Sequence, residues 1–213
     1  MWSKISFIDK GVCLFWGSTG QLLLARVRLT GVIAAVSVSF TCVLQVHNEY
    51  KEMATAATYY HKFYEDASLE EYDPYLIGCT CLYLASKVED DDIKIRDIIN
   101  VGINCVRRGE PPLSLDPYFC MRDSLIQAEL LLMRFLGLMQ VDLPHKYLLH
   151  YIQSVKDWLG NEVFDAVPII QLAWTVIQDV YHSPIVLKYP PQVLSAAILN
   201  LVVQAVWDCQ YQF

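Results

Sequence analysis

Charge is scarce in this sequence. Only 18% of its 213 residues are Asp, Glu, Lys or Arg, while 54% are hydrophobic. That balance is more apolar than an ordinary globular domain, and it excludes a disordered, solvating chain. Positive charge is the scarcer sign, with 16 basic residues against 23 acidic. Residues 1–50 hold Lys4, Lys10, Arg26 and Arg28 against Asp9 and Glu49, a net +2, which leaves −9 on residues 51–213 and −7 overall. A body so acidic argues against nucleic acid as the main partner, because phosphate binding needs a basic face.

The machinery of catalysis is also missing. No glycine-rich phosphate loop is present, and "GSTGQ" at 17–21 lacks the lysine and the spacing of one. The five histidines, His47, His61, His145, His150 and His182, form no HxxxH pair. His145 and His150 are five apart, which rotates them off a common helix face. Cys79 and Cys81 are two apart on a predicted helix and point in opposing directions. No serine sits on a nucleophile elbow. A non-enzyme without cofactor or metal is expected. The seven cysteines are odd in number and irregularly spaced, so they read as reduced, intracellular thiols.

One long uncharged run is present. "LTGVIAAVSVSFTCVLQV", residues 29–46, is 18 residues long and follows Arg26 and Arg28. It sits at the threshold for a membrane span of about 20 residues, although Thr30, Ser37, Ser39, Thr41 and Gln45 dilute it. A buried element, or a segment foreign to the fold, is the competing reading, and a membrane anchor is the less favoured one.

From Glu49 onward the pattern is helical. Helices are expected over 51–65, from Pro74 (capped by Asp73) to about Val88, over "IKIRDIINVGIN", from about Pro117 to Leu136, and from a capping Asp142 to Gly160. Two more are expected over about 162–181 and 190–207. The acidic run Glu89 to Asp92 ends one helix and can cap the next, and Gly-Glu-Pro-Pro at 109–112 breaks the chain. Leu125, Ala128, Leu132 and Phe135 share one apolar stripe.

The chain also repeats itself. "YDPYLIGCTCLYLASKV" (72–88) lies over "YPPQVLSAAILNLVVQA" (189–205) at an offset of 117. Tyr72 falls on Tyr189, Pro74 on Pro191, Leu82 on Leu199, Leu84 on Leu201 and Tyr64 on Tyr181. Two helical bundles are expected, each around a central helix too apolar to be exposed on any face. The counterparts of Ile93–Leu138 would follow Phe213, so the second bundle is expected to be partial.

Two charges break the apolar helices. Lys87 ends the first central helix, and its repeat counterpart is Gln204. Glu129 interrupts "SLIQAELLLMRFLGL". An isolated buried carboxylate is costly unless paired. The two form either a pair at a surface that a partner covers, or an ordinary ion pair at the bundle edge, worth ~0–1 kcal/mol if exposed.

These residues resemble a known family. "ATAATYYHKFY", "YDPYLIGCTCLYLASKVEDDDIKIRDIINV" and "RDSLIQAELLLMRFLGLMQVDLPHKYLLHYI" are similar to the cyclin box, over about residues 50–207. Within the family the likeness is to the cyclin Q group. It implies an all-α cyclin fold of two tandem bundles. Residues 1–48 then form an atypical N-terminal segment, 49–141 the first bundle and 142–213 a partial second. The resemblance further implies a regulatory subunit that binds a cyclin-dependent kinase, kinase ten for cyclin Q, and positions its αC helix. Lys87 and Glu129 fall on the family's kinase-contacting pair. Glu89 stands beside them, and Val88, Met133, Leu136 and Leu138 would line the groove. One departure is visible: the family's first-helix arginine is replaced within "HNEYKEM", where Glu49 stands. The alternatives are a cyclin-fold transcription scaffold without a kinase, or a membrane-anchored helical protein. A nuclear or cytoplasmic location is expected.

Overall fold

The computed structural model describes residues 50–91, 93–106, 113–137, 139–160, 164 and 168–210. The run 29–46, the rest of residues 1–49, the 109–112 turn, Asp92 and Leu138 lie outside them. The described residues form eight helices and no strand: α1 (Tyr50–Asp66), α2 (Pro74–Val88), α3 (Ile95–Val106), α4 (Leu115–Leu136), α5 (Pro144–Leu159), α6 (Ile169–Val180), α7 (Ile185–Lys188) and α8 (Pro191–Gln210). The architecture is the all-α one expected.

α2 is placed by its ends. The Asp73 carboxylate accepts a hydrogen bond from the Tyr75 backbone N–H at 3.2 Å, and Pro74 occupies the first turn. At the other end the Glu89 N–H closes on Ala85 O, and Asp90 takes φ 59°, a left-handed conformation that Asp tolerates better than most residues. Between these ends, Ile77, Cys81, Leu82 and Ala85 are buried against α1, α3 and α4. They form one core with Tyr59, Tyr60, Phe63, Ile98, Leu125 and Leu132.

A second core joins Leu148, Ile152, Phe164, Ile169, Ala173, Ile177, Ile198, Leu199 and Val202. Here α8 packs on α5 and α6. Ser195 fixes the crossing, because its hydroxyl donates to Pro144 O or Pro191 O, each at 2.7 Å.

α1 belongs to both cores. Ala56, Tyr59, Tyr60 and Phe63 face the first, and Ala54 faces the second. Its run of Ala and Thr lets neighbours approach from several sides. His61 Nε2 meets Tyr181 O at 2.8 Å across the joint. Beside it, Tyr50, Trp174 and Tyr181 enclose the buried His145 ring, with centroids 4.6, 5.2 and 5.7 Å away.

Three expectations need correction. Asp142 does not cap α5. Leu143 holds that position without a side-chain cap, and the Asp142 carboxylate instead takes Lys146 and the Tyr147 hydroxyl, which lie one turn on. Phe135 is not part of the buried stripe of α4. Leu125, Ala128 and Leu132 are, while Phe135 stays exposed and reaches sideways to Phe63, 5.0 Å away. Among the described residues, the second central helix is not covered all round. Val193 and Leu201 of α8 are open.

Candidate partner-binding site

Lys87 and Glu129 are brought together. Lys87 sits in the last turn of α2 and Glu129 in the fourth turn of α4, and Lys87 Nζ donates to Glu129 Oε1 at 2.6 Å. Their environments differ: the lysine side chain is 47% exposed and the glutamate 10%. The ammonium also lies 4.2 Å from the centre of the Tyr83 ring, one turn back on the same helix. Partial burial works against the Lys87 charge. The hydrogen bond and charge of Glu129, with help from Tyr83, outweigh it, so the Lys87 pKa is raised. The pair is thus a carboxylate sunk in the α2–α4 seam, carrying a lysine whose outer half remains in solvent.

Apolar side chains stand open around it. Val88 follows Lys87 and is exposed, and Met133 stands one turn beyond Glu129 and is exposed too. Leu136 is turned more inward and packs on the first core. Leu138 lies outside the described residues. The open face of α4 continues through Leu130, Ile126 and Phe119.

Glu89 has a different position. Its carboxylate accepts a 2.7 Å hydrogen bond from the Thr55 hydroxyl, which is fully buried on α1. Glu89 therefore ties the end of α2 to α1. It also acts at a distance on Tyr59, whose pKa is raised first by burial and next by that carboxylate. The Tyr59 hydroxyl donates to Met139 O at 3.3 Å and so holds the chain leaving α4.

Sequence reasoning missed Thr55 and Tyr83. Tyr83 had a signal, since it precedes Lys87 by four residues on a helix, where side chains meet. Thr55 had none, because its partner is 34 positions away.

Among the described residues, no three His, Cys, Asp or Glu side chains gather closely enough to hold a metal ion. No helix there is long and apolar enough to cross a membrane. Cys81 and Cys120 form no disulfide.

The comparisons with known proteins agree with the all-α fold. Residues 37–139 match the model of the cyclin N-terminal domain. Cyclin pch1 of Schizosaccharomyces pombe is 31% identical over 159 residues, which cover 71% of this chain and 44% of that protein. Cyclin-K of Homo sapiens is 28% identical over 155 residues, 71% of this chain and 25% of that protein. Cyclin-L1 of Homo sapiens is 28% identical over 159 residues, 72% of this chain and 29% of that protein. The chain thus spans less than half the length of these curated relatives. With its repeated apolar helix, its helical architecture and its matched domain, the chain belongs to the cyclin family.

Proposed function

We propose that this chain is a regulatory subunit that binds a cyclin-dependent protein kinase and holds the kinase's αC helix where its catalytic ion pair can form. It contributes no catalytic group. The observation that carries this reading is the Lys87–Glu129 pair: a lysine fixed on a nearly buried carboxylate, half open to solvent, beside the exposed Val88 and Met133. A groove of open apolar side chains around one anchored charge suits an amphipathic helix with a matching polar group. Leu136, half-buried at the end of α4, borders the groove, and Glu89 supports it from below through Thr55.

Likeness to the cyclin Q group makes cyclin-dependent kinase ten the first partner to test. Residues 49–141 would supply the contact surface, and residues 142–213 would brace it through α1. Kinase regulation of this transcriptional-cyclin type fits a nuclear or cytoplasmic protein.

The test is a pull-down and titration calorimetry with purified kinase. Lys87→Ala and Glu129→Ala each weaken association by about 2–5 kcal/mol, because each leaves the other charge unpaired in a covered contact. Unchanged binding by both variants, with unchanged helical circular dichroism, would falsify the site.

A further inference from the structure

Lys87 is held from two sides. Glu129, on α4, accepts one of its N–H bonds at 2.6 Å, and the Tyr83 ring, on α2 itself, lies 4.2 Å from the ammonium. Tyr83 is in turn fixed, because it is half-buried and packs on the first core. A lysine tied to one carboxylate still swivels on its four-carbon stem, and that freedom is lost when a partner closes over it. A second anchor removes part of that freedom beforehand.

The repeat shows that ring and charge change together. The counterparts of Tyr83 and Lys87, 117 positions on, are Asn200 and Gln204. Both stand exposed on α8, where the Gln204 amide donates to Asn200 Oδ1 at 3.4 Å. The second bundle thus keeps the contact one turn apart, but makes it from two neutral amides. Only the first bundle sets a cation over an aromatic ring at that place. Lys146 and Lys156 lie farther from their rings, 4.9 Å from that of Tyr147 and 5.5 Å from that of Phe164.

We propose that Tyr83 is a positioning residue of the partner contact: with Glu129 it sets the Lys87 ammonium in its binding orientation before the kinase arrives. This rests on the reading of Lys87 and Glu129 as the kinase-binding pair. The ring face attracts the cation through its quadrupole, and the attraction grows when a partner excludes water. Tyr83 acts through Lys87, so its effect on binding requires the lysine.

Titration calorimetry of the full chain with purified cyclin-dependent kinase tests this. Leucine at position 83 keeps the apolar packing, so the helical spectrum is unchanged. Tyr83→Leu weakens binding about fivefold, while Tyr83→Phe, which keeps the ring face, binds as the wild type does. In a Lys87→Met background, Tyr83→Leu has no further effect. The free chain, labelled at its lysines, gives a second readout by nuclear magnetic resonance. The ring shifts the Lys87 ε-methylene signal upfield, and the shift is lost in Tyr83→Leu and kept in Tyr83→Phe. Wild-type affinity in Tyr83→Leu overturns the proposal. So does an equal loss in both backgrounds, which would place the ring against the kinase, or a Tyr83→Phe variant as weak as Tyr83→Leu. In each of these cases Lys87→Met alone still weakens binding, and the kinase-binding reading stands. Wild-type affinity in Lys87→Met overturns that reading, and the role of Tyr83 with it.

Discussion

The two bundles start from the same motif and finish differently. α2 and α8 each open on a proline 117 positions apart and bury a leucine at the same place, Leu82 and Leu199. Among the described residues, α2 is enclosed by α1, α3 and α4, whereas α8 is enclosed on one side by α5 and α6. The difference teaches that an apolar helix states what can be buried, and its neighbours decide what is. It also separates the chemistry. The first bundle adds a charge, Lys87, at the position where the second has Gln204, and α4 supplies the carboxylate that receives it.

The largest effects should come from the shared positions. Leu82→Ala and Leu199→Ala each remove a buried leucine and should lower unfolding free energy in urea by about 2–5 kcal/mol. Leu84→Ala should cost about 2 kcal/mol or more, while Leu201→Ala, at an exposed position, should stay within about 0.5 kcal/mol. Equal losses at 84 and 201 would break the contrast between the two helices.

Acid should act at the joint. Burial lowers the His145 pKa to about 4 from an ordinary 6.5, so the folded chain keeps the ring neutral where the unfolded chain protonates it. Its stability contribution is whole above pH 6.5, is lost as pH falls, and levels off below about 4. His61 and His182, also lowered mainly by burial, act in the same direction. His145→Phe keeps the aromatic box of Tyr50, Trp174 and Tyr181 and should flatten the stability–pH curve across that window by about 3 kcal/mol. A curve unchanged by His145→Phe would show that the ring is already solvated.

A smaller effect belongs to the first bundle alone. A Cβ at Gly102 would stand 2.5 Å from Cys79 Sγ, so α3 approaches α2 too closely for a side chain there. Gly102→Ala should cost about 1–3 kcal/mol, and adding Cys79→Ala should recover much of it. The smallest effect is expected at the exposed Lys62–Glu65 pair on α1, where Lys62→Ala should leave the urea midpoint unchanged within error.

Much of the fold was legible because its signals are local. Asp73 before Pro74 marks the start of α2, and Gly160, at φ 82°, marks the end of α5. Asp142 misled because a carboxylate before a proline can cap a helix or reach forward one turn, and Lys146 and Tyr147 drew it forward. Phe135 misled because a stripe at helical spacing shows which side chains align, not how deep the neighbouring helix reaches. Lys87 and Glu129 were visible as charges that break apolar patterns. Their contact was not, since it depends on how α2 crosses α4.

The sequence by itself determined the helices, their repeat, the family and the two charges out of place. Hydrophobic period, caps and turns act over a few residues, and those interactions are present in the chain before it folds. Only the tertiary structure decided that α1 serves both cores, that Glu89 turns to Thr55, that His145 is shut in an aromatic box, and that one face of α8 stays open. Each of those outcomes rests on groups far apart in the chain, whose meeting is set by the angle and depth at which helices pack.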